Sequence, residues 1–155
     1  MSRKILTLAL SVFLGASVLS AASYVPKSNT RPAIKKYVQA AANYVHKHGS
    51  SCDEFAEKEW RSGDFYIFVD DSDGKALCHP NKDIIGKPAS EIVDSNGKKV
   101  GIELIETAKK GGGWVDYVWP RPGTTKPVPK SSYAMSVKGP DGRTYYVGSG
   151  GYELK

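Results

Sequence analysis

Apolar residues recur at three- and four-residue spacing in two segments of the chain, and this period predicts two amphipathic helices. In the longer segment the recurring positions are Ile34, Tyr37, Val38, Ala41, Tyr44, Val45 and His48. Pro32 is typical of a first helical turn, and Gly49 is typical of the residue that ends a helix. The second of these helices is predicted over residues 100–110, and Gly111 ends it.

Short runs rich in aromatic and β-branched residues predict five strands, over residues 65–69, 75–79, 113–119, 130–137 and 144–149. Asp73-Gly74 and Asp141-Gly142 are typical hairpin turns. A capping box of Ser51 and Glu54 predicts a short helix over residues 51–60. The order of elements favours an α+β fold, in which an antiparallel five-stranded sheet carries the long N-terminal helix on one face.

Two stretches between these elements are predicted to be irregular. Residues 81–98 mix turn residues with short apolar pairs, which indicates a loop with one helical turn. Four prolines lie between Pro120 and Pro129. Because proline has no backbone N–H to donate, they predict a long extended loop outside the sheet.

The N-terminus has the pattern of a secretory signal peptide. Arg3 and Lys4 precede an almost purely apolar stretch over residues 5–19, and Ser20-Ala21-Ala22 offers small residues to a signal peptidase. An uncleaved anchor helix is the alternative, but about 15 apolar residues fall short of the roughly 20 that span a bilayer.

These features predict how the mature protein is organised. We expect a signal peptide over residues 1–22 with cleavage after Ala22, a linker over residues 23–29 and one domain over residues 30–155. The mature protein is then periplasmic or secreted and is not embedded in a membrane. An exported location also permits disulfide bonds.

Composition narrows the classes of function. The chain has 155 residues, of which 40% are hydrophobic and 25% charged, enough for one domain with a core and unlike a disordered chain. The net charge is +6, but the basic residues are spread without an arginine cluster, so nucleic acid is not an expected partner. Two cysteines are too few for a disulfide-dense miniprotein or a four-cysteine zinc site.

Motifs for catalysis and metal binding fail when their spacing is tested. A calcium loop centred on Gly74 would need ligands at Val69 and Pro80. Gly111-Gly112-Gly113 precedes a strand, whereas a phosphate loop opens a helix. Because no nucleophile motif, metal site or cofactor motif is found, the sequence predicts a protein that is not an enzyme.

Aromatic residues and one lysine on the third and fourth predicted strands carry the remaining chemistry. Trp114, Tyr117 and Trp119 lie within six residues, and alternation places Trp114 on the opposite face from the other two. Core packing is the common role of such residues. Lys130, however, enters a strand beside them, and a buried lysine needs a partner that a ligand carboxylate would supply.

Seven short motifs follow one another in order through the chain. They are Gly63-Asp64-Phe65-Tyr66-Ile67-Phe68-Val69, Leu77-Cys78-His79-Pro80, Ile85-Gly86-Lys87, Gly111-Gly112-Gly113-Trp114-Val115-Asp116-Tyr117, Trp119-Pro120, Lys130-Ser131-Ser132-Tyr133 and Gly148-Ser149-Gly150-Gly151-Tyr152. Over about residues 30–152 the chain therefore resembles the single Cache domain of type 2. The resemblance implies an extracytoplasmic sensor with a PAS-like antiparallel sheet and a long N-terminal helix. In this subgroup the ligands are often short carboxylates such as acetate, propionate, pyruvate or lactate.

Six side chains are expected at the ligand site: Lys130, Tyr117, Tyr133, Trp119, His79 and Trp114. Lys130 is expected to supply the positive charge for a carboxylate. The hydroxyls of Tyr117 and Tyr133 are expected to donate hydrogen bonds, and Trp119 to form an apolar wall. His79 is a further candidate donor, while Trp114 belongs either to the site or only to the core.

The fourth strand leaves two alternatives for this site. Lys130 and Tyr133 fall on opposite faces of a regular strand. Either Pro129 displaces the start of the strand, or only one of the two side chains faces the ligand.

The resemblance also raises the questions of signalling and of the cysteines. Family members in chemoreceptors and histidine kinases continue into a second membrane helix, whereas this sequence ends at Lys155. We therefore expect a stand-alone binding protein that passes its signal to a membrane receptor or sensor kinase. The alternative is a secreted structural or interaction protein that uses the Cache fold without a small ligand. Cys52 and Cys78 form either a disulfide or two buried thiols.

Overall fold

The computed structural model describes residues 23–50 and 52–154. The predicted signal peptide, residues 1–22, and the predicted cap Ser51 lie outside the described residues. Across the described ranges, no helix combines the length and the apolar character that crossing a membrane requires.

The helices are α1 (Arg31–His48), α2 (Cys52–Ala56) and α3 (Val100–Lys109), with a single 3-10 turn at Ala89–Glu91. α1 and α3 confirm the two amphipathic helices predicted from periodicity. α1 ends where the N–H of Gly49 donates to the carbonyl of Val45, and Gly49 adopts a φ of 77° that favours glycine. α2 is shorter than predicted, because the chain passes into turns after Ala56 and the N–H of Trp60 bonds to Glu57.

The strands are β1 (Phe68–Asp70), β2 (Ala76–Cys78), β3 (Gly113–Pro120), β4 (Pro127–Lys138) and β5 (Thr144–Tyr152). They form one sheet in the order β2-β1-β5-β4-β3, and every neighbouring pair is antiparallel. The predicted α+β fold with a five-stranded antiparallel sheet is therefore confirmed. The turn at Asp73-Gly74 is confirmed as well, with the N–H of Gly74 bonded to the carbonyl of Asp71.

The prediction of a long loop over the proline-rich stretch is wrong. β3 continues to Pro120 and β4 begins at Pro127, so only residues 121–126 connect the two strands. β3 is an edge strand, and β4 pairs with β5 only beyond Pro129. The carbonyl of Pro129 accepts the N–H of Glu153, on the side away from β3. The missing N–H of Pro129 therefore points the same way and breaks no bond between β3 and β4.

Successive strand residues face opposite sides of the sheet, and each side has its own hydrophobic core. α1 packs against β4 and β5 on one side, here called the α1 face, as predicted for the long N-terminal helix. α3 packs against β3 and β4 on the other side, here called the α3 face. Toward Lys130 the α3 face is bordered by residues 79–95, where Asp94 accepts the N–H of Val118. This border creates the cavities described below.

A disulfide joins Cys52 of α2 to Cys78 of β2 in the structure, with their Cα atoms 5.2 Å apart. Cys78 belongs to the core under the α1 face. The next residue, His79, begins the segment that borders the α3 face. The bond therefore ties the α1 side of the molecule to the segment that covers the candidate site.

Candidate ligand-binding site

Lys130 lies at the centre of a cluster of tyrosine rings on the α3 face. It stands directly opposite Tyr117 of β3 and Tyr152 of β5. Since directly opposite residues share a face, both rings flank the lysine side chain. The Nζ atom lies 4.9 Å from the Tyr152 ring centre, 5.8 Å from that of Tyr117 and 4.2 Å from that of Tyr66. The same Nζ donates a hydrogen bond of 2.6 Å to the hydroxyl of Tyr66.

Backbone geometry prepares the space for this lysine. A side-chain carbon at Gly150 would lie 2.9 Å from Cε of Lys130 and closer still to Ser132. Glycine at this position of β5 therefore allows the lysine to lie across the sheet. Before β1, Gly63 adopts a φ of 55° in a tight turn that leads the chain to Tyr66. The hydroxyl of Ser149 then holds the Tyr66 carbonyl at 2.7 Å.

Lys130 is a buried cation without a carboxylate partner. Only 3% of the residue is exposed, and no ion pair to it is formed by the residues that the structure describes. Burial lowers the pKa of Lys130 to about 7, although the negative charge of Asp64 opposes this shift. The aromatic rings stabilise part of the charge through cation–π interactions. An anion next to the ammonium would stabilise it further and would raise its pKa.

The tyrosine hydroxyls around the lysine remain protonated. Burial raises the pKa of Tyr66, of Tyr117 and of Tyr152, the last to about 12. The hydroxyl of Tyr117 lies 2.8 Å from Oγ of Ser132, and that of Tyr152 donates to the Pro120 carbonyl. Tyr66 accepts the lysine N–H, and a hydrogen bond with the Tyr152 hydroxyl raises its pKa further.

His79 contributes a second neutral donor. Its Nδ1 lies 3.0 Å from the backbone N and 3.3 Å from the carbonyl O of Asn81, so the Asn81 backbone holds the orientation of the ring. Burial, followed by the charge of Lys130, lowers the pKa of His79 to about 3. The ring lies 5.2 Å from that of Tyr66 and 6.3 Å from that of Trp119. His79 is therefore uncharged at neutral pH, and its ring carries one N–H donor and one acceptor nitrogen.

Two adjacent cavities lie beside this cluster. The inner cavity, of about 30 Å³, lies over the sheet beneath α3. The outer cavity, of about 550 Å³, lies between the 79–95 segment and the loop after β3. Four residues line both cavities: Tyr66, His79, Ile84 and Trp119. Lys130 lines neither and lies behind Tyr66. An inner cavity of this size holds about one water, so a ligand of several heavy atoms must occupy the outer cavity or displace side chains.

The structure brings four of the six predicted side chains together and separates the other two. Tyr117, Trp119 and His79 line the inner cavity, close to Lys130. Trp114 and Tyr133 pair with each other on the α1 face, with ring centres 5.5 Å apart. The sheet therefore separates Tyr133 and Trp114 from a ligand beside Lys130. This corrects the expected hydrogen bond from Tyr133 and the expected place for Trp114 in that site. Of the two alternatives for the fourth strand, the second is observed. β4 keeps its alternation, so Lys130 lies on the α3 face and Tyr133 on the α1 face.

Tyr66 is the residue at this site that the sequence reasoning missed. The run 65–69 is predicted as a strand because it is aromatic and β-branched, and that pattern assigns no ligand role to Tyr66. Its alternation does place Tyr66 and Phe68 on one face, opposite Ile67. The proximity of Tyr66 to Lys130, 64 residues away, depends on β1 pairing with β5, which local pattern does not specify.

Comparison with known proteins identifies the relatives of this chain. A family model described as Single Cache domain 2 matches residues 21–153. The sensor histidine kinase MctS of Rhizobium johnstonii is 39% identical over 90 residues, a match that covers 57% of this chain and 19% of MctS. The match thus spans about a fifth of the length of that curated relative.

Solved structures give the same result. A periplasmic sensor domain of a chemotaxis protein is 33% identical, with a TM-score of 0.53 and coverage of 76% of this chain and 84% of that one. A Cache chemosensory domain described for carboxylic acid recognition is 29% identical, with a TM-score of 0.54 and coverage of 75% and 84%. The antiparallel sheet, the long helix on its α1 face and the match over residues 21–153 place the chain in the single Cache domain 2 family of extracytoplasmic sensor domains.

Proposed function

We propose that this sensor domain binds a short organic carboxylate beside Lys130 and passes the binding signal to a membrane receptor or sensor kinase. The observation that carries the proposal is the buried ammonium of Lys130, which has rings and a hydroxyl around it but no carboxylate partner among the described residues. A similar Cache domain is described for carboxylic acid recognition, which agrees in ligand class.

The carboxylate would enter from the outer cavity. Tyr66 and His79 line that cavity, and the Tyr66 hydroxyl and the uncharged His79 ring are the donors proposed for the carboxylate. Lys130 supplies the charge from behind Tyr66, directly once the Tyr66 side chain moves or through its hydroxyl. Trp119 forms the apolar wall against which a short alkyl chain packs. A ligand of about five heavy atoms gains at most roughly −1.5 kcal/mol per atom, so micromolar affinity is the tightest expected.

Export belongs to the same proposal. The basic start, the apolar stretch and Ser20-Ala21-Ala22 support a signal peptide that is cleaved after Ala22 and a periplasmic or secreted domain. N-terminal sequencing of the protein recovered from the periplasm or medium tests this. A chain that still begins at Met1 and sediments with membranes would contradict it.

Calorimetry with acetate, propionate, pyruvate and lactate tests the ligand proposal. Lys130→Met should weaken binding about ten- to a hundredfold, because a hydrogen bond to a charged group contributes roughly 1.5–3 kcal/mol. Lys35→Met is the matched control, since it removes the same charge from the exposed side of the α1 face. Equal affinity in wild type and Lys130→Met would remove Lys130 from the site. Absence of binding to all four acids would favour the interaction protein without a small ligand.

A further inference from the structure

The outer cavity is much larger than a two- or three-carbon acid requires. Its volume of about 550 Å³ falls in the range of pockets that hold larger ligands, roughly 300–1,000 Å³. Four charged side chains line it: Arg61, Lys82, Asp94 and Arg121. Which of these charges is still available decides what else the cavity can bind.

Asp94, the one carboxylate among the described residues that line this cavity, already accepts hydrogen bonds from the backbone. Oδ1 of Asp94 accepts the backbone N–H groups of Asn96 and Lys98, each at 2.9 Å. Oδ2 accepts the N–H of Val118 at 3.2 Å. With three backbone donors directed at it, this carboxylate is held in place as part of the cavity wall.

The charge of Arg121 is also already paired. Its guanidinium forms ion pairs with Asp64 and Glu153 and stacks over the ring of Tyr152. Lys82 is exposed at the rim, where solvent screens its charge. The remaining cation on the wall is Arg61.

Arg61 is half-buried and forms no ion pair with any residue that the structure describes. Arg61 lines the outer cavity together with Tyr66 and His79, two of the four residues that line both cavities. After burial and the charge of Lys130, the charge of Arg61 also lowers the pKa of His79, and it acts on Tyr66 as well. A guanidinium presents a planar fork of N–H donors that matches a carboxylate.

We propose that Arg61 binds a second carboxylate of the ligand in the outer cavity, so that short dicarboxylates are the preferred ligand class. The first carboxylate lies at Tyr66 and His79 in front of Lys130, and the second at Arg61 on the cavity wall. This inference rests on the proposed function, because the first carboxylate occupies the site proposed there.

Calorimetry with butyrate and succinate tests the inference, since the two acids share a four-carbon chain and differ by one carboxylate. Wild type should bind succinate about ten- to a hundredfold more tightly than butyrate, through a charge-assisted bidentate contact. In Arg61→Gln this preference should disappear, with the ratio of the two affinities falling to within about twofold. Arg61→Lys, which keeps the charge and loses the fork, should retain only part of it. Circular dichroism and thermal midpoints check that each variant is folded.

Lys82→Gln is the matched control, because it removes one positive charge from the same cavity at an exposed position. It should change the preference for succinate less than about threefold. An equal loss in Lys82→Gln and Arg61→Gln would overturn the specific contact and leave only the net charge of the cavity. Equal binding of butyrate and succinate by wild type would overturn the inference while the proposed function stands. If wild type binds neither these acids nor the shorter ones, both fail.

Discussion

The two faces of the sheet carry the same combination of cations and aromatic rings, but they differ in which partner is buried. On the α1 face, Arg31 lies 4.6 Å from the ring centre of Trp114, and Lys35 lies 5.4 Å from that of Tyr133. Both cations are exposed on α1 and cover the rings from outside. On the α3 face, Lys109 covers Tyr146 from outside in the same way, but Lys130 is buried beneath its rings.

This difference separates a structural arrangement from a candidate binding site. A solvated cation over a ring keeps its water and adds a modest attraction. A buried ammonium has lost its water, and a neutral tyrosine hydroxyl replaces only part of it. The α1 face is therefore complete as it stands, whereas the buried Lys130 on the α3 face forms no ion pair with the residues that the structure describes. Residue composition alone does not distinguish the two faces, because both combine cations with aromatic rings.

The largest effect is expected from the disulfide that ties the two sides together. Loss of the Cys52–Cys78 bond should lower the free energy of unfolding by roughly 3.5 kcal/mol, because the unfolded chain regains the freedom of a loop of about 27 residues. Urea unfolding of Cys52→Ser/Cys78→Ser against wild type measures this. Thiol labelling of denatured, unreduced protein should find no free thiol, and two free thiols would contradict the bond.

Tyr133→Ala should destabilise the packing on the α1 face without changing the ligand site. Tyr133 is 8% exposed and packs against Trp114, so its removal should destabilise the fold by about 3 kcal/mol. Affinity for propionate in the folded protein should remain unchanged, because the sheet separates Tyr133 from Lys130. Chemical unfolding and calorimetry give the two quantities. A loss of affinity comparable to that of Lys130→Met would return Tyr133 to the ligand site.

Raising the pH should weaken carboxylate binding on the α3 face. The pKa of Lys130 is lowered by burial to about 7, so its charge is lost as the pH rises above that value. Affinity for propionate should then fall by up to about tenfold for each unit of pH, and Lys130→Met should show no such slope. A flat profile in wild type would indicate that a charged Lys130 is not required.

Stability should change in the opposite direction. Between about 7 and the ordinary value of 10.5, the unfolded chain keeps the Lys130 proton and the folded protein does not. The unfolded state therefore binds more protons in this window, and the free energy of unfolding rises with pH relative to Lys130→Met. Unfolding midpoints of both proteins across the window provide the check, and parallel curves would contradict the lowered pKa.

The smallest effect is expected at the exposed cations of the α1 face. Arg31→Met should lower the free energy of unfolding by less than about 1 kcal/mol, because its contacts with Trp114 and Asp116 are exposed to water. Propionate affinity should stay the same. Urea unfolding measures this free energy. A loss of several kcal/mol would mean that the cations of the two faces differ less in their contribution to stability than their exposure indicates.

Local pattern was sufficient for the two amphipathic helices and for the separation of the two faces. The three- and four-residue spacing that ends at Gly49 specifies α1, and alternation already placed Lys130 and Tyr133 on opposite sides. These features depend on residues that are close in the chain, and they can be read from a single segment. The disulfide differed, because sequence allowed either a bond or two thiols between Cys52 and Cys78.

Only the tertiary structure decided the contents of the site. The pairing of β1 with β5 brings Tyr66 to Lys130. The pairing of β3 with β4 includes prolines that, by local pattern, predict a loop. Arg61 reaches the outer cavity because segments far apart in sequence surround it. A strand's period determines which face a side chain occupies, whereas its neighbours, burial and pKa depend on which strands lie alongside. The sequence by itself thus determined the amphipathic helices, the faces of the strands and the family resemblance, and long-range packing determined which side chains meet.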